Sequence, residues 1–249
     1  MLLKRYSQHF TMYLTQNLMV KVVQIFTIIL FFSSCKSTKS LTSNQAQKQE
    51  VYQNKSIVFQ IKSLKAINLE EDLTLADEIM LTYSLTAVDE SNKVVQVANG
   101  SWGVESMKKG QIALSERFKS IELLLPFKGK ILSSVILTEI EDYKKAQNTV
   151  KKINEFGGLG KIPAMFISLG EYETPLAIVF ASLQAAGIGL KAVEHFDQDD
   201  LLGQNTFDLP VATLSSTQKL YPVNLTFEGE HFKNKFHYEL VYELKITEK

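Results

Sequence analysis

KFHYELVYELKI, residues 235–246, alternates between apolar and polar side chains. Apolar residues occupy every even position from Phe236 to Ile246, and charged or polar residues occupy most of the odd positions. A period of two residues is typical of a β-strand, because successive side chains of a strand point to opposite faces. This stretch therefore predicts a strand with one buried face and one face in water.

Similar patterns upstream extend the prediction to a whole sheet-based domain. Residues 223–227 are the natural hairpin partner of the last strand, with the chain turning through Gly229 to Asn234. A turn is predicted over 89–93, and Asn99-Gly100 carries a tight hairpin signal. Further strands are predicted over 57–62, 79–87, 94–98, 118–127 and 131–140.

The period changes to that of a helix in the middle of the chain. Apolar residues recur at helical spacing over 142–156, and Gly157-Gly158 follows as a helix end. Thr174-Pro175 is a cap and first-turn pair that opens the apolar run 176–186. That second helix is either buried between the insertion and the sheet or a surface that docks on lipid or a partner. We predict a mainly β fold, an antiparallel β-sandwich over 57–249 with a two-helix insertion at about 141–187.

Composition excludes several classes of protein. The 249 residues contain 27 basic and 27 acidic side chains, so no basic surface points to nucleic acid. With 12 Gly, 5 Pro and 1 Cys, the chain is neither collagen-like nor held together by disulfides.

The N-terminus has the anatomy of a secretory signal. Lys4, Arg5 and Lys21 precede the apolar run 22–32, which is shorter than the roughly 20 residues that span a bilayer. Cys35, the only cysteine, follows that run and two serines. Residues 19–35 thereby resemble the lipobox of bacterial lipoproteins. The resemblance implies removal of 1–34 and attachment of acyl chains such as palmitate to Cys35, which makes the membrane a partner.

The segment after the signal indicates how the folded domain is attached to the membrane. Residues 35–56 are the lipidated cysteine and a polar stretch that cannot bury enough surface to fold, so we interpret them as a flexible tether. No acidic residue follows Cys35 within Lys36 to Lys39. In the lipoprotein family this pattern favours the outer membrane, with the domain facing the periplasm.

Two acidic stretches, 70–78 and 194–200, are candidate calcium loops. Calcium takes six to eight oxygen ligands, and several carboxylates on neighbouring loops supply them. The stretch 76–81 resembles the start of a C2-domain strand, and 197–203 resembles the acidic third loop of that family. The resemblance implies a C2-like sandwich that binds calcium through Asp72, Asp77, Asp197, Asp199 and Asp200. The alternative interpretation is that these acids are solvated turns that keep strand edges soluble.

Signatures of catalysis fail on their spacing. Gly100-Ser-Trp-Gly103 lacks the spacing of a nucleophile elbow, and Ile162 follows Lys161 where a phosphate loop has a hydroxyl residue. Trp102 is expected to fill the edge of the core, and His231 and His237 to form a solvent-facing pair on the last hairpin.

The sequence therefore favours a non-catalytic binding or assembly module of the envelope, with an envelope protein or a lipid headgroup as its partner. Two alternatives stay open. A hydrolase of envelope polymers would set Glu194 or Asp197 across a groove from a second carboxylate. A structural partner protein would instead dock through its apolar insertion.

Overall fold

The computed structural model describes residues 55–69, 75–156, 174–185, 201–214, 218–231 and 234–248. The chain divides into two units, Met1–Thr42 and Ser43–Lys249, and every described residue lies in the second. The predicted signal, Cys35 and most of the tether lie outside the described residues. The first strand begins at Lys55, two residues before the predicted start of the domain.

The described strands form two antiparallel sheets. Sheet A has the order β4-β1-β9-β8, with β5 also paired to β1. Its strands are β1 Lys55–Asn68, β4 Ile112–Leu114, β5 Ile121–Leu124, β8 Leu220–His231 and β9 Asn234–Glu248. Sheet B has the order β3-β2-β6-β7. Its strands are β2 Ala76–Val88, β3 Val94–Lys108, β6 Lys130–Glu139 and β7 Leu201–Pro210.

The core lies between the two sheets, as the alternating patterns predict. On β9 the even positions are buried, and Tyr238, Leu240 and Tyr242 are fully enclosed. The ring of Phe59 stacks between those of Tyr83 and Tyr242, with centroid distances of 5.1 and 4.5 Å. This aromatic stack joins sheet A to sheet B. The predicted antiparallel β-sandwich is confirmed by this packing and by the strand pairing.

Two helices of the described residues cover the outer face of sheet B. α1 spans Tyr143–Phe156 and α2 spans Pro175–Ala185. The backbone amide of Ala177 donates to the Thr174 hydroxyl at 3.2 Å, which confirms the predicted cap. Leu176, Val179 and Leu183 of α2 are buried against α1 and sheet B. Of the two interpretations of the apolar helix, the buried one is therefore correct.

The predicted hairpin at Asn99-Gly100 is wrong, because β3 continues through both residues to Lys108. Gly100 lies directly opposite Tyr83 on β2, and a Cβ at Gly100 would meet the Tyr83 ring. The glycine leaves room for a buried aromatic ring instead of turning the chain.

Two loop predictions are corrected in the same way. Gly229 is in β8 rather than in a turn, and a Cβ there would meet the ring of Phe236. Leu201, Leu202 and Gly203 begin β7 rather than end an acidic loop. In both places the strands run further than the turn-forming residues indicate, because pairing and core contacts outweigh local preference.

Trp102 packs at the edge of the core as predicted. It is 8% exposed, and its ring centroid lies 4.9 Å from that of Phe118. The Arg117 guanidinium lies 5.1 Å above the indole ring, which adds a cation–π contact.

No helix among the described residues has the length and apolar character that crossing a membrane requires.

Candidate functional site

An open groove of about 530 Å³ lies at one end of the sandwich, where β1 and β8 finish and β9 begins. We call this end the loop end. The groove is lined by residues of these three strands, namely Ile67, Asn68, Glu228, Gly229, Glu230, Lys235, Phe236 and His237.

Strand pairing determines which polar side chains lie side by side in the groove. His237 lies on the central strand β9, directly opposite Glu228 of β8 on one side and Asn68 of β1 on the other. Glu230 lies opposite Lys235 one step nearer the hairpin tip. The groove therefore presents carboxylates, an imidazole, an amide and one ammonium group on a small area.

The imidazole of His237 has an unusual environment. Its Nε2 is buried and has no hydrogen-bond partner within the part of the chain that the structure describes. A buried nitrogen without a partner costs free energy, and buried polar groups are nearly always paired. Phe236 and Ile67 give the same groove an apolar wall. The arrangement suits the binding of a polar group, and it offers no nucleophile beside a base.

Asp77 lies next to the groove, inside the core. It is 1% exposed, and the hydroxyl of Tyr238 donates a hydrogen bond to its Oδ2. Because Asp77 belongs to sheet B and Tyr238 to sheet A, this contact joins the two sheets at the loop end. Sequence reasoning named Asp77 but did not predict that its carboxylate faces inward.

The other four predicted calcium ligands, Asp72, Asp197, Asp199 and Asp200, lie outside the described residues. The strands that flank them do meet. Leu69 precedes the first acidic stretch, whose last three residues, 76–78, begin β2, and Leu201 follows the second stretch. Leu201 pairs with Thr138, which pairs with Met80 near the start of β2. The described residues next to both acidic stretches thus lie at the loop end.

No group of three or more metal-ligating side chains occurs among the residues with described positions. The calcium site stays a prediction, since four of its five residues are outside that set. Glu194 is outside it too, so the hydrolase alternative also stays a prediction.

The two hairpin histidines are not cross-strand neighbours. His231 pairs with Asn234, and His237 pairs with Glu228. Sequence reasoning missed Glu228 and Glu230 because it ended β8 at Phe227. If the alternation is continued to His231, both glutamates fall on the outward face of β8, and this is the signal that would have found them.

No family model matches the chain, and no curated protein matches it in sequence. Among solved structures, it is similar to human GIVD cytosolic phospholipase A2 in complex with methyl gamma-linolenyl fluorophosphonate inhibitor and terbium chloride. The identity is 7%, the TM-score is 0.36, and the match covers 78% of this chain and 18% of the phospholipase. This chain therefore spans less than a fifth of the phospholipase chain.

It is also similar to a C2 domain of plant extended synaptotagmin 1. That identity is 8% and the TM-score is 0.37, over 79% of this chain and 96% of the domain. A C2 domain is the kind of sandwich that the acidic motifs resemble. At TM-scores below 0.5 these likenesses carry no argument about function, and the sandwich architecture rests on the strand pairing described above.

Proposed function

We propose that this protein is a lipid-anchored, non-catalytic binding module of the bacterial cell envelope. Cys35 would hold it to the outer membrane on the periplasmic side, and the loop end of the sandwich would bind an envelope protein or a lipid headgroup with the help of calcium. The support for export and anchoring is the signal pattern of residues 1–34 and the position of Cys35.

One observation carries the binding part of the proposal. The strands that flank the two acidic stretches end together, beside the open groove that Glu228 and His237 line. Loops that a rigid sandwich brings to one end are where binding residues of such folds concentrate. The groove also offers polar groups beside an apolar wall, which is typical of a binding site.

Calcium fits the chemistry of the predicted ligands. It needs six to eight oxygen atoms at 2.3 to 2.6 Å, and carboxylates on two loops supply such a set. Asp72, Asp197, Asp199 and Asp200 would supply oxygens from the loops. The fifth predicted ligand, Asp77, is buried at the start of β2, where its carboxylate accepts a hydrogen bond from the Tyr238 hydroxyl. No catalytic step is assigned to any of them.

Docking through an apolar insertion is the poorer alternative. Leu176, Val179 and Leu183 are each no more than 8% exposed and pack within the chain. The apolar surface that this alternative requires is therefore already covered in the structure described.

Thermal unfolding of the full chain in detergent, with millimolar calcium and then with chelator, tests the proposal. A ligand at one hundred times its Kd stabilises the native state by about 2.7 kcal/mol, so we expect the midpoint to rise by several degrees. Asp199→Asn should abolish that rise.

The matched control is Asp208→Asn. Asp208 is an acid on β7 that pairs with Lys130 at 2.7 Å, near the end of β7 remote from the loop end. This variant should keep the full calcium response. A midpoint that does not move with calcium would refute the calcium site and leave both acidic stretches as solvated turns.

A further inference from the structure

The outer face of sheet B carries a band of polar side chains beneath a very apolar helix. Strand pairing sets four of them in one row across the sheet: Asn99 of β3, Ser84 of β2, Ser134 of β6 and Thr206 of β7. The next row contains Ser101, Thr82 and Gln204, with one apolar residue, Ile136, between Thr82 and Gln204. We call these two rows the polar band. A sheet face covered by a helix is ordinarily apolar, so this one is exceptional.

α2 lies across the polar band and packs into two apolar clusters of the sheet. Leu176, Val179 and Leu183 join one apolar cluster, with Met80 and Ile136 of the sheet. On the other side, Ile178 and Ala181 join a second cluster, whose sheet residues are Val88, Val94, Val97 and Leu132. The helix thus contacts apolar residues at both ends of this sheet face, including Ile136 within the polar band, and polar groups between them.

Some polar groups of the band are satisfied. The Ser182 hydroxyl donates to Asn99 Oδ1 at 2.7 Å, and Asn99 Nδ2 donates to the Ser182 carbonyl oxygen at 3.3 Å. The hydroxyls of Ser134 and Thr206 bond to each other at 2.8 Å. The two contacts between Ser182 and Asn99 fix the position of the docked helix on β3.

Three hydroxyls in a row on β2 are not satisfied. Thr82, Ser84 and Thr86 are each 0% exposed, and their oxygens have no hydrogen-bond partner in the described parts of the chain. They occupy alternate positions of one strand and so point the same way, outward from sheet B. We call them the hydroxyl row.

The hydroxyl row opposes the docking of α2. Where α2 packs on β2, burial removes water from hydroxyls that gain no partner in exchange, whereas an exposed hydroxyl is bonded by water. A local conflict of this kind, in a chain whose other elements agree with the fold, is expected where an element has to move. The stability of the docked helix is therefore the difference between its apolar contacts and hydrogen bonds on one side and this penalty on the other.

We propose that α2 is a releasable cover of sheet B. It undocks without unfolding of the sandwich, and its release exposes the polar band to water. The core between the sheets does not depend on it, because the residues of α2 belong to the two outer clusters and to neither face of that core. The inference stands apart from the calcium proposal.

Thiol labelling tests the release. The full chain carrying Cys35→Ser has no other thiol, so one added cysteine reports on one site. Ala181→Cys reports on α2, and Ala66→Cys reports on the core between the sheets; both positions are 0% exposed. If α2 opens locally, the thiol at 181 reacts at least ten times faster than the thiol at 66. Equal rates at the two positions would overturn the proposal.

Removing the hydroxyl row tests whether these hydroxyls weaken the docking of α2. The triple variant Thr82→Val, Ser84→Ala, Thr86→Val removes the penalty, so labelling at 181 should slow at least tenfold while labelling at 66 stays unchanged. Ser134→Ala is the matched control, since that hydroxyl is already paired and its removal should not slow labelling. Faster labelling at 181 in the triple variant would contradict the proposal.

A second measurement avoids the added cysteine. In hydrogen exchange of the unaltered chain, the amides of α2 should exchange at least ten times faster than those of β2 and β6 beneath it. Equal protection of helix and sheet would also overturn the proposal.

Discussion

Tyr83 and Tyr242 carry polar atoms into the centre of the core. Each ring is fully buried beside Phe59, and each hydroxyl has a partner: the Lys119 carbonyl oxygen for Tyr83 and the Ser133 hydroxyl, at 2.8 Å, for Tyr242. Burial raises the pKa of Tyr242 to about 12, and the hydrogen bond to Ser133 acts in the opposite direction. Burial raises the pKa of Tyr83 as well, against the hydrogen bond to Lys119.

These raised pKa values predict a loss of stability in alkali. Above pH 10 the unfolded chain loses its tyrosine protons while the folded chain keeps them, so the unfolded state binds fewer protons and stability falls as the pH rises. The expected slope is about 1.4 kcal/mol per pH unit for each tyrosine, from pH 10 toward pH 12. Denaturant unfolding at a series of pH values measures it.

The Tyr242→Phe variant is the control for this slope. It has lost one titrating group, so its stability should fall by about 1.4 kcal/mol less per pH unit than that of the unaltered chain. A variant with an unchanged slope would show that Tyr242 keeps an ordinary pKa in the fold.

At the scale of elements, α2 differs from the other described helix. α1 has a polar face, with Lys144, Lys151 and Lys152 exposed. In α2 no residue over 175–184 is exposed, and one side, with residues 177, 180 and 184, is half-buried. A helix that is apolar all round is stable only when it is enclosed.

Leu183→Ala tests whether α2 is enclosed within this chain. Leu183 is 1% exposed, so its truncation should cost about 2–5 kcal/mol of unfolding free energy, in proportion to the cavity that it leaves. Lys152→Ala on the exposed face of α1 should change stability by less than about 0.5 kcal/mol. Denaturant titration compares the two. A loss below about 1 kcal/mol for Leu183→Ala would mean that the helix lies open to solvent.

Elements with an uninterrupted period could be predicted from the sequence, and elements set by long-range contacts could not. β9 and α1 appear where their apolar spacing places them, because one side of each must be buried. The hairpin predicted at Gly100 was wrong because the glycine makes room for the ring of Tyr83, which lies on another strand. β4 has only three residues and was missed, since it exists through its pairing with β1.

The candidate site could be predicted in part for the same reason. Composition marks the acidic stretches, but the groove depends on the register of β8, β9 and β1, which sets Glu228, His237 and Asn68 side by side. A register is a property of three strands together, and no single stretch of sequence contains it.

At the scale of the whole molecule, the proposed anchor gives a prediction about location. Acyl chains on Cys35 would bind the membrane through their buried methylene groups, at about 0.8 kcal/mol each. In a bacterial host, Cys35→Ser should therefore move the protein from the membrane fraction to the soluble fraction and abolish labelling with palmitate. Ser37→Ala, just outside the motif, should leave both unchanged. A Cys35→Ser protein that still sediments with membranes would exclude the acyl anchor.

The position of Trp102 has a consequence for how unfolding is observed. The chain has one tryptophan, and its indole is packed between Phe118 and Arg117 on the sandwich, away from α2. Its fluorescence therefore follows the sandwich alone, whereas the helical signal in far-ultraviolet circular dichroism follows α1 and α2. If the circular dichroism signal is lost at a lower denaturant concentration than the fluorescence signal, the helices unfold or detach before the sandwich unfolds.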